Sequence, residues 1–135
     1  MSVAVPLTFM NESGRFVQSF SSYYKIPPAD ILICYDEIAL PLGRLRVRRT
    51  GSAGGQKGMK SVIECLGTQD VPRLRIGIGP QPELMDSADF VLQKFTAAEE
   101  EALDAALALG EQAVAVAASD GVDAAMNRFN PAESA

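Results

Sequence analysis

The chain has 135 residues, the size of one domain, and 47% of them are hydrophobic, which is enough to fill a core at that length. It contains no apolar run of about 18 residues and no signal peptide, so we expect a cytoplasmic protein without a membrane span. Two cysteines, Cys34 and Cys65, are too few for a disulfide framework or a structural zinc site. The sequence therefore predicts neither a bound metal nor a cofactor.

The net charge of −5 conceals an uneven distribution along the chain. Eight of the 12 basic residues, but only two of the 17 acidic residues, lie between Arg44 and Arg75. A basic patch within an acidic chain indicates a local site for a polyanion such as nucleic acid, because the overall charge would repel that ligand. The simpler alternative is that these arginines line the solvated face of strands.

The first third of the chain predicts one helix and one strand. Aromatic residues at helical spacing predict a helix over residues 13–25, which Pro27 and Pro28 end. The aromatic residues are Phe16, Phe20, Tyr23 and Tyr24. The continuous apolar run 31–35 is typical of a strand buried on both faces, with Asp36 and Glu37 at its C-terminal end.

The middle third predicts two strands that flank a glycine-rich loop and a helix. Alternation of apolar and basic residues predicts strands over 45–49 and 73–78, whose arginines would face solvent. They are Arg46, Arg48, Arg73 and Arg75. The loop covers residues 51–58, and the helix that follows begins at Met59 and ends at Gly67.

The last third predicts two helices. Residues 96–99 have the spacing of a capping box at the start of a long helix, and a final helix covers 122–129. The expected core stripe of the long helix comprises Leu103, Leu107, Gly110, Val114 and Ala117. The fold class is α/β, a single domain with a mixed, twisted sheet flanked by helices. Three strands make a thin sheet, so either a strand escapes the pattern or the chain begins partway through a fold.

Three groups of residues could carry chemistry. The glycine-rich loop could present backbone N–H groups to an anion, although it matches no nucleotide-binding motif and a structural turn explains it equally well. Arg48 and Arg75 could converge on one phosphate if their strands are neighbours. Asp36 could orient a histidine or bind a metal, but the chain has no histidine, and a turn or capping acid is the plain alternative.

Segments along nearly the whole chain match one known family in order and spacing. They are TFMNESG at 8–14, YKI at 24–26, ILICYDEIALPLG at 31–43, GG at 54–55, GMKS at 58–61, RLRIGIG at 73–79, FVL at 90–92 and AMNRFN at 125–130. Together they resemble the bacterial-type peptidyl-tRNA hydrolases. The resemblance implies a peptidyl-tRNA hydrolase-like fold and a metal-free enzyme that hydrolyses the ester between a peptide and the tRNA 3′ ribose, recycling tRNA for translation. The implied partner is peptidyl-tRNA or tRNA.

The resemblance also implies roles for individual residues. Asp36 and Asn11 would be catalytic, Asp36 by orienting a histidine and Asn11 by contacting the substrate. Other residues would line the substrate pocket. They are Phe9, Met10, Gly55, Gln56 and Lys57. Arg48 and Arg75 would bind the 5′-phosphate of the tRNA.

The chain departs from the family pattern in places. The family's opening strand and its catalytic histidine precede the segment at 8–14, so we expect residues 1–135 to form a single domain that lacks the N-terminal segment. Gln56 and Lys57 replace the usual histidine and asparagine, and a lysine donates a hydrogen bond but cannot accept one. Tyr35 replaces a residue that is often histidine.

Three functions stay open at this point. The chain could be an incompletely represented hydrolase, a non-catalytic tRNA- or RNA-binding family member, or a protein-interaction fragment with an acidic partner. Only the last should show no tight, salt-dependent RNA binding. We expect a complete family member to be a monomer. A truncated chain would expose the strand at 31–35 and aggregate or dimerise through that edge.

Overall fold

The computed structural model describes residues 3–4, 12–79 and 96–130. The elements in chain order are α1 (Ser13–Tyr24), a 3₁₀ turn (Pro28–Asp30), β1 (Ile33–Pro41), β2 (Leu45–Arg48), α2 (Lys57–Leu66), β3 (Arg73–Gly79), α3 (Ala97–Asp120) and α4 (Val122–Phe129). The order of helices and strands is the one that the hydrophobic periodicity predicts. The three strands form one sheet in the order β1-β3-β2.

Strands β1 and β3 run parallel. The Ile33 N–H donates to the Pro72 carbonyl at 2.9 Å where the two strands begin, and the Leu42 N–H donates to the Gly79 carbonyl at 2.7 Å where they end. Parallel neighbours need a crossover connection, which β2 and α2 supply here. The prediction of an α/β fold is therefore confirmed.

Strand β2 pairs with the other edge of β3 in the opposite direction. The Gly77 N–H, near the end of β3, donates to the carbonyl of Arg44, directly before β2, at 2.8 Å. The sheet is therefore mixed, as predicted. Leu45 and Val47 of β2 are buried while Arg48 is exposed, which confirms the alternation that the sequence shows.

The chain divides into two compact units. Among the described residues, one unit contains those up to Ile33 together with Arg48–Arg73, and the other contains Cys34–Val47 together with those from Leu74 onward. Each unit is thus built from two separate stretches of sequence. The expectation of a single domain stays a prediction.

In the first unit, α1 packs against α2 at Gly14. The Gly14 N–H donates to Ser61 Oγ at 2.9 Å, and both residues are buried. A Cβ atom built on Gly14 would lie 2.0 Å from the Ser61 carbonyl oxygen and 2.8 Å from Cys65 Sγ. Only glycine lets the two helix backbones approach this closely, which gives a packing reason for the glycine of the segment at 8–14.

In the second unit, α3 covers β3 with a stripe of small residues. The buried residues of α3 are Ala106, Gly110 and Ala113. A Cβ atom on Gly110 would meet the side chains of Leu74 and Ile76 at 3.8 Å. Gly110 was correctly predicted to face the core, whereas the prediction for Leu107 was wrong, because that side chain is 44% exposed.

Helix α3 is also long and apolar enough to cross a membrane when judged by length and composition alone. An 18-residue stretch of this helix has a mean hydropathy of 1.2, and 17% of that stretch is buried. The core helices of soluble proteins and signal sequences pass the same test. The finding is therefore weak evidence for a membrane span.

The predicted first strand differs from the observed β1 in length and burial. β1 begins at Ile33 and continues to Pro41, so Asp36 and Glu37 lie inside the strand and not at its C-terminal end. Cys34 and Asp36 are exposed, so the expectation of burial on both faces was wrong. Cys34 and Asp36 share one face of β1, and the described residues leave that face open to solvent at these two positions.

The side chain of Asn130 extends the hydrogen bonding of β2. Its Oδ1 accepts from the Val47 N–H at 2.6 Å, and its Nδ2 donates to the Val47 carbonyl at 2.9 Å. One amide thus satisfies both backbone groups of a strand residue that has its side chain in the core. This contact ties the end of α4 to β2 and gives a structural role to the last residue of the segment AMNRFN.

We predict that Gly14→Ala lowers the free energy of unfolding by about 1–3 kcal/mol, because the added methyl group overpacks the contact with Ser61. Urea unfolding followed by circular dichroism measures the change. Ser19→Ala is the control, since Ser19 is exposed on the same helix and its replacement should change stability by less than about 0.5 kcal/mol. Equal stability of the two variants would contradict the close approach.

We predict that Asn130→Asp destabilises the protein by about 1–3 kcal/mol at neutral pH, since a carboxylate cannot donate to the Val47 carbonyl and would face its oxygen. Asn127→Asp adds the same charge at an exposed position of α4 and should be nearly neutral. The deficit should shrink on acidification, because a protonated carboxyl regains a donor. Thermal melts at several pH values test this, and a pH-independent difference between the two variants would refute the contact.

Candidate functional site

Three of the predicted site residues lie outside the described residues. They are Phe9, Met10 and Asn11. Their roles stay predictions from the resemblance. The other predicted residues fall into two groups, the glycine-rich loop with the start of α2, and the polar side chains of the strands.

The glycine-rich loop contains a tight turn directly before α2. The Gln56 N–H donates to the Ala53 carbonyl at 3.1 Å. The two residues between them, Gly54 and Gly55, have φ angles of 60° and 89°. Positive φ at both central positions is typical of a type I′ turn, which glycine adopts without strain. The structural interpretation of the loop as a turn is therefore correct, and it does not exclude a ligand.

The start of α2 is capped by its own preceding residue. The Oε1 atom of Gln56 accepts from the Met59 N–H at 2.7 Å, and α2 begins at Lys57, two residues earlier than predicted. Glutamine is not among the preferred N-cap residues, so the sequence carries no capping signal at this boundary. Lys57 is exposed in the first turn, and a Cβ atom built on Gly55 would meet no atom of the described residues within 4 Å, its chain neighbours aside.

The prediction that Arg73 faces solvent was wrong. Arg73 is 0% exposed, and its guanidinium group donates to four backbone carbonyls. On one side it reaches Gly51 and Ser52 at 2.8 and 2.9 Å. On the other side it reaches Gln69 at 2.8 Å and Val71 at 3.0 and 3.1 Å. These carbonyls replace water around the buried charge, which is how the protein tolerates it.

A second contact joins the same two loops at the surface. The hydroxyl group of Thr50 lies 2.8 Å from Asp70 Oδ1 and 3.2 Å from the Gln69 carbonyl. The loop before α2 is therefore fastened to the loop after α2 by one exposed and one buried group of hydrogen bonds. The sequence shows no pattern that predicts either.

The two acidic residues of β1 have different environments. Asp36 is exposed, whereas Glu37 is 5% exposed and its Oε1 lies 3.8 Å from Nη1 of Arg75. The alternation of a strand puts these neighbours on opposite faces. Asp36 is therefore the carboxylate that solvent or a ligand can reach on β1, and Glu37 is an internal partner for Arg75.

The two predicted phosphate-binding arginines also differ. Arg48 is exposed at the end of β2, while the side chain of Arg75 on β3 is 20% exposed and faces Glu37. The strands β2 and β3 are hydrogen-bonded neighbours, so the condition of adjacency on which the prediction depended is met. Binding of phosphate by either residue stays a prediction.

The surroundings of the Cys34 thiol disfavour the thiolate, which is the form that acts as a nucleophile. Cys34 has an exposed surface, yet the atoms packed around its sulfur desolvate the thiolate and raise the pKa of the thiol. Within the described part of the chain, no cluster of histidine, cysteine, aspartate and glutamate could hold a metal ion.

The fold and the site together define an α/β protein in which a glycine-rich turn leads into a helix and arginines lie on two neighbouring strands. A family model described as peptidyl-tRNA hydrolase matches residues 1–135. The chain therefore belongs to the peptidyl-tRNA hydrolase family, as the sequence motifs predict.

Individual relatives agree with this membership. The peptidyl-tRNA hydrolase of Elusimicrobium minutum is 52% identical over 128 residues, which cover 95% of this chain and 68% of the relative. That of Carboxydothermus hydrogenoformans is 49% identical, with coverages of 93% and 66%. A crystal structure of peptidyl-tRNA hydrolase from Acinetobacter baumannii superposes with a TM-score of 0.85 at 34% identity and covers 93% of this chain and 63% of that protein. The chain thus spans about two thirds of the length of these relatives.

We predict that Arg75→Met and Arg48→Met differ in their effect on stability. Arg75→Met leaves the buried Glu37 carboxylate without its counter-charge and should lower the free energy of unfolding by about 1–3 kcal/mol. Arg48→Met removes an exposed side chain and should cost less than about 0.5 kcal/mol. Urea unfolding of both variants measures the difference. A comparable loss in both would contradict the assignment of Arg75 to an internal pair.

Proposed function

We propose that the protein acts on peptidyl-tRNA and contributes to hydrolysis of the ester bond between the peptide and the tRNA. The observation that carries this proposal is the 52% identity to a relative named peptidyl-tRNA hydrolase. Since the chain spans about two thirds of its relatives, the activity and the substrate of the whole protein are part of the proposal. A cytoplasmic location fits a substrate that arises during translation.

In this proposal the arginines of the strands hold the phosphate end of the tRNA. Arg48 is exposed, and an extended guanidinium group on a strand can form a bidentate contact with phosphate oxygens. Arg75 has 20% of its side chain exposed, and the nearby Glu37 carboxylate restricts its orientation. We therefore expect Arg48 to contribute most to the salt dependence of binding. Arg75 should contribute less, and its guanidinium group should contact the phosphate in the one orientation that Glu37 permits.

The glycine-rich loop would contact the acyl end of the substrate. Among the described residues, nothing lies within 4 Å of the place where a Cβ of Gly55 would stand, so we expect a ligand to approach the backbone there. Lys57 is exposed beside it and supplies a donor, and Gln56 fixes the first turn of α2 through its cap. Phe9, Met10 and Asn11 would complete this pocket, as the resemblance implies.

The chemical step requires a water molecule that loses a proton as it attacks the ester carbonyl. Asp36 is an exposed carboxylate that can hold the base in position, which is the role that the resemblance implies for it. The chain contains no histidine to act as that base. Its own residues therefore provide binding and orientation, and any turnover by the chain alone should be slow.

We predict that the purified chain binds tRNA with an affinity that falls as salt concentration rises, because phosphate contacts release counterions. Arg48→Ala should reduce the slope of log affinity against log salt by about one. Arg15→Ala is the matched control, because Arg15 is exposed on α1 and has no proposed contact with RNA. Fluorescence anisotropy with labelled tRNA gives the slopes, and an unchanged slope for Arg48→Ala would exclude the assignment of Arg48.

The same preparations decide between hydrolysis and binding alone. Release of peptide from peptidyl-tRNA by the chain would support the hydrolase, and a fall of at least about tenfold in Asp36→Asn would mean that Asp36 takes part without a histidine to orient. Salt-dependent binding without any turnover would favour the non-catalytic RNA-binding alternative. Absence of tRNA binding would refute both.

A further inference from the structure

The buried guanidinium group of Arg73 joins the two ends of α2. Gly51 and Ser52, which accept two of its hydrogen bonds, precede the turn before α2, while Gln69 and Val71 follow the helix. Arg73 is the largest of the fully buried side chains of the described chain. A single rigid group thus fixes the distance between the segment that enters the glycine-rich loop and the segment that leaves α2.

Stability alone is a poor reason for a buried arginine. Removing a charge from water is costly, and an apolar side chain of similar volume often stabilises a protein as well or better. What an apolar side chain cannot supply is a planar fork with donors on several sides, each with a defined direction. The arrangement therefore favours a role in fixing the positions of the two loops relative to each other.

The backbone around the acceptors is shaped for this contact. Gly51 has a φ angle of 145°, a conformation that L-residues other than glycine rarely adopt, and a Cβ atom there would lie 3.9 Å from Nη1 of Arg73. The Gly51 carbonyl accepts from that same nitrogen at 2.8 Å. Two residues later the chain enters the turn that carries Gly54 and Gly55.

We propose that Arg73 is a positioning residue that holds the glycine-rich loop in the conformation that contacts the acyl end of the substrate. The identity of the ligand rests on the proposed function, whereas the effect on the loop does not. The loop is where Gly55 and Lys57 lie, so a displacement at Gly51 and Ser52 moves the groups that would contact the ester. Arg73 itself is buried and acts through these residues.

The test uses Arg73→Lys, which keeps the positive charge and most of the stem. A lysine has its donors on one atom and cannot bind both loops with the geometry of the fork. In the free protein, hydrogen exchange of the Gln56 and Met59 amides should become at least about tenfold faster, while that of the Val47 amide, which is bonded to Asn130, should not change. A general loss of stability would accelerate all three amides.

Binding is measured with two probes. One is a non-hydrolysable 3′-(N-acetylaminoacyl)amino-3′-deoxyadenosine, and the other is a 5′-phosphorylated acceptor-stem duplex. Arg73→Lys should weaken binding of the first at least about tenfold and leave the second within about twofold. Gly51→Ala alters a loop residue whose carbonyl accepts a hydrogen bond from Arg73, and it should reproduce this pattern. Thr50→Ala removes the exposed contact between the same loops and should have a smaller effect.

The outcomes separate the two proposals. Unchanged exchange at Gln56 and Met59, or equal weakening of both probes, overturns the positioning role. If the unaltered protein binds neither probe, the proposed function fails. The exchange data then decide alone whether Arg73 fixes the loop.

Discussion

The glycine-rich loop and α2 depend on one buried cation. A guanidinium group that is removed from water needs as many acceptors as it has donors, and backbone carbonyls from both ends of α2 meet that need. The consequence is that the loops cannot move apart without exposing an unsatisfied charge. Because α1 packs on α2 through Gly14, the position of α1 depends on the same restraint.

The arginines of the chain divide into structural and accessible ones, and the division follows from their partners. Arg73 is saturated by carbonyls, Arg75 faces a buried carboxylate, and Arg48 is exposed. A phosphate group binds most readily to an arginine whose guanidinium group is accessible and does not already face an internal partner. The positive balance of the segment between Arg44 and Arg75 therefore overstates the charge that an RNA would meet.

The elements of the fold could be predicted from the sequence because each has a strong period or a clear stop. The helices at 13–24 and 97–120 show helical spacing, and β2 and β3 alternate. The errors arise where tertiary contacts override the local pattern. Leu107 fits the apolar stripe of α3, but the residues that the helix buries are Ala106, Gly110 and Ala113, and Leu107 is 44% exposed.

Arg73 shows why the site was harder to predict than the fold. Strand alternation places it with Arg75, yet it is the first residue of β3, where the chain leaves a loop and its side chain can reach the carbonyls of other loops. No local pattern encodes those carbonyls, since they belong to the backbone, and those of Gly51 and Ser52 lie about 20 residues away along the chain. The motif resemblance identified the family, but it could not assign a structural partner to each basic residue.

The cap on α2 limits how the glycine-rich loop can bind a substrate. The Oε1 atom of Gln56 already accepts from the Met59 N–H, so an anion at this helix end would have to displace the amide oxygen. A neutral ester carbonyl would gain less than a phosphate from a hydrogen bond with the Met59 N–H. The loss of the bond to Gln56 would offset much of what the ester gains. Contact through the open backbone at Gly55 and the exposed Lys57 needs no such displacement. The loop is therefore better suited to a neutral group held beside the helix than to an anion bound at its end.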